Sequence, residues 1–112
     1  GAMLLCIDCG NTNTVFSIWD GTDFTATWRI ATDHRRTADE YFVWLRSLIS
    51  LHGLEVTIDH CIISSTVPRV VFNLRVLCNR YFDLRPLVVG KVRPWQVLDT
   101  PARALIGQRS SL

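Results

Sequence analysis

The sequence predicts an α/β fold in which three antiparallel strands are extended by parallel strands through crossover helices, in the order β-β-β-α-β-α-β. Three apolar runs of strand length, separated by short polar turns, occupy the first 30 residues. Beyond residue 37 the apolar spacing becomes that of a helix, and a short apolar run follows each of two helical segments. Such a strand is typically parallel to an earlier one, because its connection is a right-handed crossover.

The composition indicates one globular domain and argues against two kinds of binding protein. The 112 residues are 48% hydrophobic and 20% charged, which supplies enough apolar side chains for a core. A net charge of +2 argues against a dedicated nucleic-acid binder, which concentrates basic residues on one face. The sole lysine is Lys91, so residues 1–90 contain no phosphate loop that depends on a lysine after a glycine-rich turn.

The cysteines and the hydropathy pattern favour a cytoplasmic protein that has no membrane partner. Cys6, Cys9, Cys61 and Cys78 have neither metal-ligand nor redox spacing, and we interpret all four as reduced. No apolar run reaches the length of a membrane span, and no signal peptide is recognisable.

The first three strands are expected at residues 4–9, 14–19 and 24–30. Asp20 and Gly21, between the second and the third, form a dipeptide that is typical of hairpin turns. The chain is therefore expected to open with an antiparallel meander.

The first helix is expected to begin after Thr37. Thr37 and Glu40 match a capping box, in which each side chain accepts a hydrogen bond from the other residue's backbone amide. Gly53 is expected to end this helix. Its expected apolar face comprises Tyr41, Trp44, Leu45, Leu48 and Ile49.

A fourth strand, a second helix and a fifth strand are expected to follow. The strands are expected at residues 59–65 and 86–90. The helix is expected to begin at Thr66-Val67-Pro68, since proline is tolerated in a first helical turn. The expected apolar face of that helix comprises Val71, Leu74, Leu77, Cys78 and Tyr81.

The two ends of the chain differ in character from the rest. Residues 1–2 look like the remnant of a removed tag, and residues 3–90 are interpreted as the domain. Residues 91–112 contain two prolines and no clear period. We expect either a short helix around residues 102–106 or a disordered end there, and interpret this part as a divergent or non-native tail.

The turn after the first strand combines a carboxylate with small polar residues. Gly10 permits close approach to the backbone, and Thr12, Asn13 and Thr14 offer side-chain hydrogen bonds to phosphate oxygens. A carboxylate beside a phosphate is repulsive unless a cation lies between them, so Asp8 is best explained as a ligand of Mg²⁺, directly or through water. The alternative is a tight hairpin turn in which the side chains of Asp8 and Asn11 only satisfy turn amides.

A second group of polar residues follows the fourth strand. Ser64, Ser65 and Thr66 lie where that strand ends and the second helix begins. Ligands gather at such edges in open α/β folds, so these residues either line the same site or cap the helix.

Several motifs, in order, resemble those of type III pantothenate kinases. IDCGNTNTVFSIWDG is similar to the first phosphate motif of that family, Asp-x-Gly-Asn-Thr-x-Thr. WRIATDHRRTADEY resembles the stretch that leads into the family's first helix. CIISSTVPRVVFNLRVLCNRYF resembles its next strand and helix, and PLVVG resembles the strand after them. The resemblance covers residues 3–90.

The resemblance implies a ribonuclease H-like half-domain of the acetate and sugar kinase, Hsc70 and actin superfamily. It implies transfer of the γ-phosphate of ATP to pantothenate, the first step of coenzyme A biosynthesis, by a homodimer that needs Mg²⁺ and a monovalent cation such as K⁺ or NH₄⁺. Asp8 would serve the metal. By motif, the ATP-phosphate loop would comprise Asp8, Cys9, Gly10, Asn11, Thr12, Asn13, Thr14 and Val15.

The sequence departs from the family after the fifth strand. It lacks the family's Gly-rich substrate segment and its Gly-Ala-Asp-Arg motif, whose Asp is the proposed general base, so we assign no catalytic residue in this chain. We therefore expect an N-terminal kinase fragment that is inactive alone and tends to self-associate, because the surface that meets the missing half is exposed. The alternative is a non-catalytic interaction module, of the kind that gave some members the label of Baf-type transcriptional activators.

Overall fold

A computed structural model describes residues 3–90 and confirms the expected order of elements. Residues 1–2 and 91–112, and with them the predictions of a tag remnant and of a helix or disordered end, lie outside the described residues. The elements are β1 (Leu4–Cys9), β2 (Asn13–Trp19), β3 (Phe24–Ala31), α1 (Ala38–Leu51), β4 (His60–Ser65), α2 (Pro68–Phe82) and β5 (Leu87–Val89).

The five strands form one mixed sheet in the order β3-β2-β1-β4-β5. β2 is antiparallel to β1 and to β3, whereas β4 is parallel to β1 and β5 is parallel to β4. β1 lies at the centre, and each of its six residues is paired on both sides. The predicted fold class is therefore confirmed.

Both helices pack against the same face of the sheet. Leu5, Ile7 and Cys9 of β1 join the large core cluster to which α1 and α2 contribute. Side chains alternate along a strand, so Leu4 and Cys6 face the other way, where they form a smaller cluster with other apolar residues of the sheet. By the same alternation, Asp8 lies on the face away from the helices.

The turn between β2 and β3 is wider than a two-residue hairpin. The carboxylate of Asp20 accepts hydrogen bonds from the amides of Thr22 and Asp23, both at 2.8 Å, and Trp19 is paired with Phe24. A bulge follows, because Ile18 is paired with Ala26 and Thr25 is the extra residue. The bulge shifts the pairing of the rest of β3 by one residue.

The capping box of the first helix is confirmed. The Thr37 hydroxyl accepts a hydrogen bond from the Glu40 amide at 3.2 Å, and the Glu40 carboxylate accepts one from the Thr37 amide at 3.0 Å. These bonds to the anionic form hold the pKa of Glu40 below its usual value. Gly53 has φ +65° directly after the C-terminal cap, His52, which agrees with its expected role.

The second helix begins at Pro68, without a side-chain cap. Leu74, Leu77 and Cys78 are buried as expected, but Val70 rather than Val71 completes the fully buried set. Four helical positions separate Val70 from Leu74, so these two side chains lie above one another on the inner face. Neither helix among residues 3–90 is long and apolar enough to cross a membrane.

Candidate phosphate-binding site

A polar cavity of about 490 Å³ lies at the carboxyl ends of β1 and β4. In open α/β folds this edge is where ligands bind, because loops from neighbouring strands meet there. The cavity is lined by Asp8, Cys9, Gly10, Asn11, Thr12, Asn13, Val15, Arg29, Ser64 and Thr66.

One wall of the cavity is a row of paired residues that crosses four strands. Asp8 is paired with Val15 of β2 and with Ser64 of β4, and Val15 is paired with Arg29 of β3. Directly paired residues share a face of the sheet, so the row lies on the face opposite the helices. Two strand spacings, about 10 Å, separate the backbones of Asp8 and Arg29.

The loop after β1 has a defined shape. The Gly10 amide donates to the Asn13 carbonyl at 2.9 Å, which closes the turn, and the Thr32 amide donates to the Thr12 carbonyl at 2.9 Å. The amides of Asn11 and Thr12 donate no hydrogen bond to another described residue. Two consecutive amide donors at a loop tip are the kind of group that binds anions in proteins.

Thr14 lies apart from the other residues of the expected loop. Its side chain is fully buried and does not line the cavity. Its hydroxyl lies 2.9 Å from the Thr32 hydroxyl and 3.3 Å from the Cys9 Sγ. The sequence suggested a direct hydrogen bond from Thr14 to phosphate, whereas the structure places this hydroxyl inside the protein.

The polar residues after β4 separate into two roles. Ser64 and Thr66 line the cavity, and the Ser64 hydroxyl donates to the Gly90 carbonyl at 3.2 Å. Ser65 does not line it, because its hydroxyl accepts from the Val67 amide at 2.8 Å at the entry to α2. Of the two alternatives considered from the sequence, site lining therefore holds for Ser64 and Thr66, whereas none of the three residues caps the helix, whose N-cap is Val67 without a side-chain cap bond.

Arg29 is the lining residue that the sequence reasoning missed. Strand alternation alone leaves its partner undefined, because the partner depends on the length of the β2–β3 turn and on the bulge. If the pairing continued from Trp19 and Phe24 without a bulge, Thr25 would be paired with Ile18, and Trp28 instead of Arg29 would lie opposite Val15. The hairpin register was the only available signal, and it could not be counted from the sequence.

The oxygen ligands at the cavity suit a Mg²⁺ ion that is bound jointly by the protein and a phosphate ligand. They suit a metal site made of protein side chains alone less well. No group of three or more His, Cys, Asp or Glu side chains among residues 3–90 could hold a metal ion. Mg²⁺ is commonly bound by one or two carboxylates together with waters and substrate phosphates. Asp8, half-buried at the cavity wall, supplies one such carboxylate.

The four cysteines are core residues, and two of their thiols stay protonated. All four are buried free thiols. Burial raises the pKa of Cys6 to about 12, and a hydrogen bond with Cys78 together with burial raises the pKa of Cys61. A thiol that stays protonated is a poor nucleophile and a poor ligand, which suits Cys6 and Cys61 to the core.

The sheet order and the crossover helices define an α/β domain of the ribonuclease H-like and actin-like class. YeaZ from Pseudomonas aeruginosa has a similar fold, with a TM-score of 0.56 at 14% identity over 80% of this chain and 44% of that one. T. thermophilus RuvC in complex with a Holliday junction substrate gives a TM-score of 0.53 at 15% identity, over 88% of this chain and 69% of that one.

Within this class, the chain belongs to the type III pantothenate kinase family, whose model matches residues 4–99. It is 81% identical over 89 residues to the type III pantothenate kinase of Paracoccus denitrificans, and 79% identical to that of Cereibacter sphaeroides. Each match covers 80% of this chain but only 34% and 35% of the relative. The chain thus spans about a third of the length of the curated relatives that it matches.

Proposed function

We propose that this chain is the N-terminal part of an ATP-dependent pantothenate kinase and supplies the loop that holds the ATP phosphates. The observation that carries the proposal is the cavity itself. It combines a carboxylate, Asp8, and a guanidinium, Arg29, in one row with a loop that has two consecutive amides not bonded to any residue among 3–90. This combination suits a polyphosphate with its metal ion, because the metal needs an anionic ligand and the phosphate oxygens need a cationic group and hydrogen-bond donors.

Each lining residue has a distinct role in this proposal. The amides of Asn11 and Thr12 donate to phosphate oxygens, and Arg29 compensates their charge. Asp8 would bind Mg²⁺, directly or through water. Mg²⁺ would neutralise charge on the transferred phosphoryl group. Ser64 and Thr66 bound the cavity on the side of β4.

The remaining functional expectations concern the longer protein. Pantothenate as the acceptor, K⁺ or NH₄⁺ as the monovalent cation, homodimerisation and cytoplasmic location are proposed from family membership. The general base is expected outside the residues of this chain, so we propose that the chain is inactive alone. No contact among residues 3–90 favours the Baf-type alternative.

Titration with Mg²⁺-ATP, followed by amide NMR, tests the proposal. We expect selective shifts for Gly10, Asn11, Thr12 and Asn13, and smaller shifts with AMP, which lacks the outer phosphates. Removal of Mg²⁺ with a chelator should weaken the response, because Asp8 and the phosphates then repel each other. A well-dispersed spectrum in which these amides do not respond to millimolar nucleotide would contradict phosphate binding by this chain.

Gly10→Ala is expected to separate ligand binding from folding. Gly10 does not need positive φ, and an added Cβ would meet only the Asn13 carbonyl oxygen, at 3.5 Å. Unfolding in urea should therefore show stability that is unchanged or raised by up to about 1 kcal/mol. The same titration should show nucleotide binding weakened about tenfold, because the methyl group occupies space beside the phosphates. Unchanged affinity would mean that phosphate does not approach Gly10.

A further inference from the structure

Thr32 is joined to the phosphate loop by both its backbone and its side chain. Its amide donates to the Thr12 carbonyl at 2.9 Å, and its hydroxyl donates to the Gly10 carbonyl at 2.9 Å. It lies directly after β3, whose last residue is Ala31. A single residue of a neighbouring strand end therefore holds two carbonyls, one on each side of Asn11.

The Thr32 hydroxyl also continues into the protein interior. Its oxygen lies 2.9 Å from the hydroxyl of Thr14. Thr14 is fully buried, and its hydroxyl lies 3.3 Å from the Cys9 Sγ. A hydroxyl has one hydrogen to donate, and the Gly10 carbonyl can only accept. Thr32 therefore donates to Gly10, and the single hydrogen of the Thr14 hydroxyl is available to the Thr32 hydroxyl or to the Cys9 Sγ. The two threonines join the start of β2 and the end of β3 to the loop.

We propose that Thr32 is a positioning residue for nucleotide binding, which fixes the loop of residues 10–13 in the shape that receives phosphate. The proposal rests on the proposed function of this loop. Its physical basis is preorganisation: a loop that is already held in its binding shape loses less conformational entropy when the ligand binds. Thr32 itself touches no phosphate in this arrangement, because its hydrogen is committed to the Gly10 carbonyl.

The same two strands contain a matched control pair. The hydroxyls of Ser17 and Thr27 lie 3.2 Å apart across β2 and β3, in an exposed position away from the loop. Thr27→Val removes a cross-strand hydroxyl contact of the same kind as Thr32→Val. Only Thr32→Val removes the donor to the Gly10 carbonyl, and it leaves the amide bond to Thr12 intact.

The test compares Thr32→Val, Thr32→Ser and Thr27→Val in two measurements. Hydrogen exchange without ligand should be faster at the amides of residues 10–13 in Thr32→Val only. The dissociation constant of Mg²⁺-ATP should rise about tenfold in Thr32→Val. It should stay within about twofold of the wild type in Thr32→Ser, which keeps the hydroxyl, and in Thr27→Val.

The outcomes distinguish this inference from the function on which it rests. If the wild type binds nucleotide and Thr32→Val binds equally well, Thr32 is not a positioning residue. Equal losses in Thr32→Val and Thr27→Val would indicate a general effect on the sheet and would also overturn the inference. If the wild type binds no nucleotide, the proposed function fails; hydrogen exchange then decides by itself whether Thr32 orders the loop.

Discussion

Asp8→Asn is expected to weaken Mg²⁺-dependent ATP binding about a hundredfold, which corresponds to about 2.7 kcal/mol. The amide side chain keeps the size of the carboxylate but not its charge, and Mg²⁺ favours anionic oxygen ligands. In a chelator the order should change: without Mg²⁺, the variant is expected to bind ATP at least as well as the wild type, because one like-charge repulsion is gone. Isothermal titration calorimetry measures the dissociation constant of ATP for the wild type and the variant, with and without Mg²⁺.

Asp23→Asn is the control for charge. Asp23 lies in the exposed turn between β2 and β3, at the end of the sheet away from the cavity. The substitution removes the same charge from the protein. It should leave the dissociation constant of ATP unchanged both with and without Mg²⁺. If Asp8→Asn keeps the full Mg²⁺ dependence of the wild type, Asp8 is not on the side of the site where the metal binds.

Phe16→Ala is expected to be the most destabilising of the substitutions considered, by about 3–5 kcal/mol. Phe16 is completely buried where α1 packs on β2, with its ring centroid 5.7 Å from that of Tyr41 and 5.2 Å from that of Trp44. Removal of the ring loses apolar burial and two aromatic contacts and leaves a cavity. A domain of this size has only about 5–15 kcal/mol of stability, so the midpoint of urea unfolding should fall markedly.

Phe72→Ala is the matched control for this core substitution. Phe72 lies on the outer surface of α2 with 69% of its surface exposed. Its truncation should change the free energy of unfolding by no more than about 0.5 kcal/mol. Similar costs for the two variants would contradict the packing of α1 against β2.

The elements were predictable from the sequence because their signals are local. The capping box of Thr37 and Glu40 lies within four residues, and Pro68 marks the first turn of α2 by itself. The inner face of α2 was less certain, since Val70 and Val71 are adjacent apolar residues and only packing selects Val70. Local chemistry thus determined where each element begins, whereas tertiary contacts determined which side chains are buried.

The lining of the cavity was predictable where it is continuous in the chain or lies at the end of a predicted parallel strand, as Ser64 and Thr66 do. The loop from Asp8 to Asn13 could be identified because carboxylate, glycine and small polar residues follow one another. Arg29 and Thr32 reach the same place from β3, through a strand register that involves a bulge. Thr14 had the correct residue type, but strand alternation turns it to the helix side, where its hydroxyl contacts Thr32.

The bulge at Thr25 decides which side chain of β3 lies in the cavity. If Thr25 were instead paired with Ile18, the indole of Trp28 would lie opposite Val15, and the guanidinium of Arg29 would move to the other side of the sheet. Deletion of Thr25 would remove the bulge and keep Val15 opposite Arg29. The exposed turn at residues 20–23 lies outside the strand pairing, so lengthening it need not change the register. Descendants of this sequence can therefore gain or lose residues in that turn, or lose Thr25, whereas a one-residue shift in the pairing of β2 with β3 would remove a positive charge from the cavity.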